Sequence, residues 1–172
     1  MELPERFAAG DPEAFEASFR QYQGEVYRWI VRIVRDPGAA EDLTIETFWR
    51  VYRARAHFDP ARSFPAWVRQ VATRAALSRL KTVHSEVRLP QNWPDTPSPN
   101  PAAGRELHEA IQRAFRALPA KLRVVATLAL IEETPGALIA EALGILLAAV
   151  KTREFRAVRL LRKKLKRLGV EP

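Results

Sequence analysis

Three carboxylates, Glu41, Asp42 and Glu46, stand in the run AEDLTIETFW (40–49) of a 172-residue chain whose formal net charge is +8. If the run is helical, Asp42 and Glu46 share a face, a like-charge arrangement that costs about a few tenths of a kcal/mol. Four arrangements would account for it: an acid/base pair, a metal site, an acidic docking surface, or a solvated helix. General acid–base work needs converging groups in a concave site with separated pKa values. The chain offers no nucleophile beside a base, no phosphate-cradling glycine loop and no histidine within the run. A dinuclear carboxylate site would want Glu-x-x-His pairs on facing helices, and the sequence has none. With no cysteine and only the scattered His57, His84 and His108, no metal, cofactor or disulfide is expected. Catalysis is therefore set aside, and docking surface and solvated helix remain. On the residues alone, Ile45 and Trp49 read as core and the acids as solvated.

A second chemistry lies at the other end of the chain. Residues 1–81 carry a net +2, 82–104 carry −1 and 105–172 carry +7. Lys151, Arg153, Arg156, Arg159, Arg162, Lys163, Lys164, Lys166 and Arg167 stand within seventeen residues that hold one acid, Glu154. Such a stripe suits a polyanion, because each neutralised phosphate releases counterions. The plainer alternative is a solvated basic helix end, where cations also favour the dipole. Nucleic acid is the reading preferred here.

The elements that must position these groups are helical. Residues 82–104, TVHSEVRLPQNWPDTPSPNPAAG, contain five prolines and little apolar periodicity, which predicts an extended linker. It separates two halves, 1–81 and 105–172, each near the lower size limit for an independent core. In the first, Asp11-Pro12 and Asp36-Pro37 read as helix starts. Phe15, Phe19, Tyr22, Val26, Trp29 and Ile33 follow the former as a buried stripe, and Leu43, Phe48, Val51 and Tyr52 follow the latter. Ser63 and Pro65 open a third helix with Phe64, Trp67, Val68, Val71 and Ala75 on one face. In the second half, Leu107 to Leu118 and Leu122 to Leu128 predict two helices. Thr134 as cap, Pro135 in the first turn and a turn at Gly144 then predict a helix-turn-helix whose second helix enters a major groove. The fold class expected is all-α: an N-terminal three-to-four-helix bundle and a C-terminal four-helix domain joined by the proline-rich linker. No window approaches a membrane span and the N-terminus lacks a signal layout, so a cytoplasmic protein without membrane insertion is expected.

Taken in order, DPEAFEASFRQYQGEVYRW, AEDLTIETFWRVY, FDPARSFPAWVRQVATRAAL, the proline-rich linker, ALPAKLRVVATLAL and IAEALGI…AAVKTREFRA resemble bacterial extracytoplasmic-function sigma factors over about residues 11 to 168. The resemblance implies a first domain (1–81) that melts and reads the −10 promoter element and a second (105–172) that reads the −35 element. It implies core RNA polymerase as a partner, through the β′ clamp helices and the β flap, promoter DNA both duplex and melted, and an anti-sigma factor. Asp42, Ile45, Glu46 and Trp49 would form the docking surface for β′; the family usually has glutamine where Ile45 stands. Phe64, Trp67, Arg69, Arg74, Ser78 and Arg79 would belong to the −10 reading segment, where aromatics stack on unpaired bases and cations follow the backbone. Lys151, Thr152, Arg153, Phe155 and Arg156 would occupy the −35 reading stretch and Arg159 a phosphate contact, with Arg or Lys on guanine edges and Phe on a thymine methyl. Adjacent residues do not share a helical face, so about half of that set is expected to reach bases. The alternative is a helix-turn-helix regulator that binds duplex DNA without being a polymerase subunit.

Overall fold

The computed structural model describes residues 1–82 and 101–170, which form eight α-helices and no strand. Asp11 starts α2 (Pro12–Val34): its carboxylate accepts the N–H of Glu13 at 2.9 Å and of Ala14 at 3.4 Å, and Pro12 occupies the first turn. Asp36 does the same for α3 (Pro37–Arg53), accepting from Gly38 at 3.0 Å and Ala39 at 3.2 Å. These are the two caps the sequence predicts, each satisfying helix-end donors that would otherwise lack a partner. Ahead of them lies a helix that periodicity does not reveal, α1 (Leu3–Ala8), too short to show a repeat; its Phe7 is 1% exposed.

A 3-10 turn (Arg55–His57) leads to α4 (Phe64–Thr82). The predicted linker 82–104 lies mostly outside the described residues, but its ends fall within helices: α4 closes at Thr82 and α5 (Pro101–Arg116) opens at Pro101. The proline at 101 suits a helix start, where its missing N–H costs nothing. α6 (Ala120–Ala126) runs on into one π-helical turn (Thr127–Ile131), and α7 (Gly136–Leu143) and α8 (Leu147–Arg167) complete the chain. The cap position of α7 is Pro135 rather than Thr134. Thr134 is buried, and its hydroxyl has no hydrogen-bond partner, so the predicted capping bond is not made.

The turn between α7 and α8 forms as the glycine suggests. Gly144 takes φ +65, and the N–H of Ile145 reaches back to the carbonyl of Ala140 at 3.0 Å. That six-to-one closure is the usual way a left-handed residue ends a helix, and a side chain at Gly144 would be strained.

The principal core does not stop at the linker. Val26, Trp29, Ile30, Ile33 and Val34 of α2, Phe48 and Val51 of α3, and Val68, Ala72, Ala75 and Ala76 of α4 are continuous with Val124, Val125 and Leu128, with Ile139 and Ala142 of α7, and with Val150 of α8. A smaller cluster, Ala114, Phe115, Leu118, Ala126, Ala157 and Leu161, ties α5 to α6 and α8. Each half is close to the size at which a core is marginal, and pooling apolar faces across the halves relieves that limit. Buried hydroxyls are satisfied locally: Ser18, Thr44 and Thr47 donate to carbonyls four residues back at 2.7–2.8 Å. Between helices, Trp29 Nε1–H donates to Thr73 Oγ1 at 2.9 Å, and that hydroxyl donates to the Arg69 carbonyl at 2.7 Å, fixing the register of α4 on α2.

The Asp11 cap carries a pH dependence. Its carboxyl pKa lies below the ordinary 3.8, first because the Arg6 side chain donates to it at 2.7 Å, with the two backbone N–H groups adding to the effect against partial desolvation. A depressed carboxylate pKa gives stability that is present above the unfolded value and is lost as pH falls through the folded one. Melting followed by far-UV dichroism below pH 3.8 is expected to show Asp11→Asn losing less of its stability to acid than the parent, because the amide still caps without titrating. Identical acid profiles would count against this assignment.

Candidate functional site

The acidic stretch forms the outer face of α3. Ala40, Leu43, Thr44, Thr47, Phe48 and Val51 point inward at helical spacing, which leaves Asp42, Ile45, Glu46 and Trp49 together on the solvent side. Ile45 is 55% exposed and Trp49 56% exposed. Reading these two as core from their residue types was therefore wrong: Thr44 and Thr47 take the inward positions and spend their hydroxyls on the helix backbone. Arg50 pairs with Glu46 one turn on, offsetting the repulsion between Asp42 and Glu46. Trp49 is braced edge-on by Tyr52, with ring centroids 6.3 Å apart. The result is two large apolar side chains on a rigid helix, rimmed by carboxylates. Apolar groups so placed gain about 1.5–3 kcal/mol each when a partner covers them.

On α4 the expected −10 residues separate. Arg74, Ser78 and Arg79 are exposed. Phe64 is 4% exposed, and its ring lies 5.1 Å from Phe7, 5.4 Å from Phe58 and 5.5 Å from Tyr22. It cannot stack on a base without leaving the core, because its position one turn before Val68 puts it on the inward face. Trp67 is half-buried in the same aromatic group, 4.8 Å from Phe58 and 6.2 Å from Phe7. Arg69 is fully engaged within the protein. Its guanidinium pairs with Glu25 of α2 at 2.6 Å and with Glu141 of α7 at 3.3 Å, and lies over the Trp29 ring at 5.4 Å. Beside it, Gln70 Nε2 donates to the backbone carbonyl of Glu141 at 3.0 Å. A shallow depression lies beside it between α2 and α4, lined by Tyr22, Trp29, Val68 and Arg69.

On α8 the face opposite the core is basic. Val150, Ala157 and Leu161 are buried, while Lys151, Thr152, Phe155, Arg156 and Arg159 are exposed. Arg153 is half-buried, to one side of this set. Phe155 is 69% exposed, and Leu146, at the start of the helix, is 78% exposed. The helix begins without a side-chain cap. The cations continue along the solvent side through Arg162, Lys163, Lys166 and Arg167, so the stripe seen in the sequence is one surface of a single helix about 30 Å long. Sequence reasoning missed Glu25, Gln70 and Glu141 as partners of the α4 surface. A lone polar residue on an amphipathic helix carries no signal of what lies across from it.

Two exposed faces stand out on this all-helical chain, one apolar with an acidic rim and one basic behind a helix-turn-helix. Residues 18–85 match the family Sigma-70 region 2. The ECF RNA polymerase sigma factor SigW of Bacillus subtilis (strain 168) is 29% identical over 177 residues, an alignment covering 92% of this chain and 92% of that protein. The RNA polymerase sigma factor CarQ of Myxococcus xanthus is 30% identical over 171 residues, covering 97% of this chain and 98% of CarQ. CnrH, solved in complex with the cytosolic domain of CnrY, shares the fold with a TM-score of 0.58 at 22% identity, over 95% of each chain. The chain belongs to the ECF RNA polymerase sigma factors. It acts in promoter recognition and transcription initiation, and the alternative of a regulator independent of polymerase is set aside.

Proposed function

We propose that this sigma factor works by binding alone, with each exposed face given to one partner. The α3 face of Asp42, Ile45, Glu46 and Trp49 docks on the β′ clamp helices of core polymerase. The 105–172 half reads duplex −35 DNA through α8 and meets the β flap. The 1–81 half holds the melted −10 strand with Arg69, Arg74, Ser78 and Arg79, Arg69 becoming available only once its pairings with Glu25 and Glu141 are released. Trp67 and Phe64 shape that surface from beneath instead of stacking on bases. An anti-sigma factor would cover the same faces. No described helix is long and apolar enough to cross a membrane, and the setting proposed is the cytoplasm, where core polymerase and promoter DNA are found.

The observation that carries the −35 assignment is the division of α8. Phe155, Lys151, Thr152, Arg156 and Arg159 share the open face of a helix that follows a glycine-closed turn. Replacing Arg156 and Arg159 with Ala is expected to weaken binding to a promoter duplex about tenfold to a hundredfold and to reduce the salt slope by about one for each phosphate no longer neutralised. Arg153→Ala, at a half-buried position, should do much less. Fluorescence anisotropy over a salt series, on a duplex recovered by run-off transcription from random-sequence templates, measures both quantities. Equal affinity of the double variant and the parent at every salt concentration would remove α8 as the reading helix.

A further inference from the structure

The first turn of α8 offers solvent only hydrocarbon side chains. Residues 145–150 read ILLAAV, so no side chain in this stretch before Lys151 can donate or accept a hydrogen bond. Leu146 takes the N-cap position, where Ser, Thr, Asp or Asn would satisfy helix-end N–H groups, and no side chain caps the helix. It is 78% exposed, more than any other large apolar side chain among the described residues except Met1. Its neighbour Leu147 is accounted for by packing: Leu147 Cδ1 lies 3.1 Å from where a side chain at Gly136 would begin, over the start of α7. Leu146 is left in solvent. An uncapped helix end and a leucine in water are two costs at one residue, and a partner that covers the leucine offsets the second.

The surroundings define the chemistry of that partner. Lys151, Thr152, Arg156 and Arg159 are exposed on the turns that follow, so a surface that meets this end of α8 is polyanionic. In a helix-turn-helix the N-terminal part of the second helix is what reaches the base edges. In the major groove every base pair presents hydrogen-bonding groups, but one base alone adds an apolar group, the C5-methyl of thymine. A leucine makes no hydrogen bond to a base edge, and it can bury a methyl. Cytosine in the same place would set an amino donor against hydrocarbon with no acceptor in reach, which costs its desolvation. Phe155, 69% exposed, follows nine residues later, about 14 Å along the helix. The two apolar side chains therefore meet different base pairs.

We infer that Leu146 is a specificity-determining residue of the −35 contact, which selects thymine at one base pair by burying its C5-methyl group. This rests on α8 as the reading helix. The cations of α8 attract any duplex, and Leu146 adds a preference that charge does not supply.

Deoxyuridine differs from thymidine by this methyl alone. In the promoter duplex recovered by run-off transcription, each −35 thymine is replaced in turn by deoxyuridine, and the affinity of the full chain is read by fluorescence anisotropy at fixed salt. One replacement is expected to weaken the parent about threefold to fivefold, the worth of one buried methyl, and to leave Leu146→Ala unaffected. A replacement that Leu146→Ala still feels and Phe155→Ala does not would belong to Phe155. Leu146→Ser, which supplies a cap, should lose the same discrimination while melting no lower than the parent, so that the loss is not one of folding. Equal sensitivity of parent and Leu146→Ala at every thymine overturns the inference, as does a −35 element without thymine. If Leu146→Ala lowers affinity for core polymerase and not for the duplex, the leucine belongs to a protein partner and the methyl reading is overturned. The assignment of α8 is judged separately: should Arg156→Ala/Arg159→Ala bind the duplex like the parent, α8 does not read DNA and the inference falls with it. Should that variant be weakened while the deoxyuridine series is flat, the role of Leu146 alone fails.

Discussion

Exchanging Ile45 for Arg and Trp49 for Ala together is expected to weaken association with core RNA polymerase by about two orders of magnitude or more, with no loss of thermal stability. The size follows from what the α3 face contains. Aromatic anchors that become fully covered dominate interfaces, each worth about 2 kcal/mol or more on truncation. On the proposed docking face Trp49 would be such an anchor, held in place before binding by the edge of Tyr52, so that little side-chain freedom would be lost on docking. Ile45 stands one turn earlier on the same face, and an arginine there would place a desolvated cation opposite whatever surface Trp49 meets. Neither change reaches the core, which α3 enters through Leu43, Phe48 and Val51. Gel filtration or anisotropy with purified core polymerase reads the loss, and dichroism confirms the unchanged fold. Asp42→Asn should have a smaller effect, felt mostly in salt dependence, since rim charges steer encounter more than they hold the complex. If the double variant binds core as tightly as the parent, the α3 face is not the docking surface.

The largest effect on the fold itself is expected from Phe7→Ala, at about 3–5 kcal/mol. Phe7 is 1% exposed and touches four other aromatic rings, Phe15, Phe58, Phe64 and Trp67, at centroid distances of 5.1 to 6.5 Å. Removing it leaves a cavity under the segment that joins the 3-10 turn to α4, where Phe58 and Phe64 would lose their edge-to-face partner. For a chain of this size, that cost corresponds to a fall in melting temperature of about 6–20 °C. Phe7→Leu, which keeps most of the volume, should cost a small fraction of this. A calorimetric scan decides: a melting temperature within a degree or two of the parent would show that α1 is not part of the cooperative unit.

That a helix of six residues anchors this segment was not legible in the sequence, because LPERFA is too short to display a period and Phe7 is a single apolar residue among polar neighbours. Where the chain offers long repeats and clear punctuation, the reading holds: Asp11-Pro12, Asp36-Pro37 and Gly144 form the two caps and the turn they predict. At Thr134 local punctuation misleads, because the π-helical turn before it carries the hydroxyl into the protein before α7 begins. The basic stripe was legible because a charge run on one helix needs no tertiary information. Its division into an open face and the half-buried Arg153 needed only the direction of the core. The α3 face shows the limit more sharply. Ile45 and Trp49 look like core by type, and what turns them outward is the pair Thr44 and Thr47, whose burial depends on hydrogen bonds back to their own helix. Phe64 fails in the opposite sense, since an aromatic residue suited to stacking lies within a cluster assembled from four separate segments. Contacts between the halves were beyond reach altogether: Glu132, Glu141 and Gln70 are ordinary helix-surface residues until their partners are in place.

The shared core also bears on how such a factor can change over generations. Val124, Val125, Leu128 and Ile139 are buried in one cluster with Trp29, Val68 and Ala72, and substitutions at residues in contact are not independent in their effects. The two halves would then be expected to change together, and an exchange of one half between relatives to lower stability at this seam.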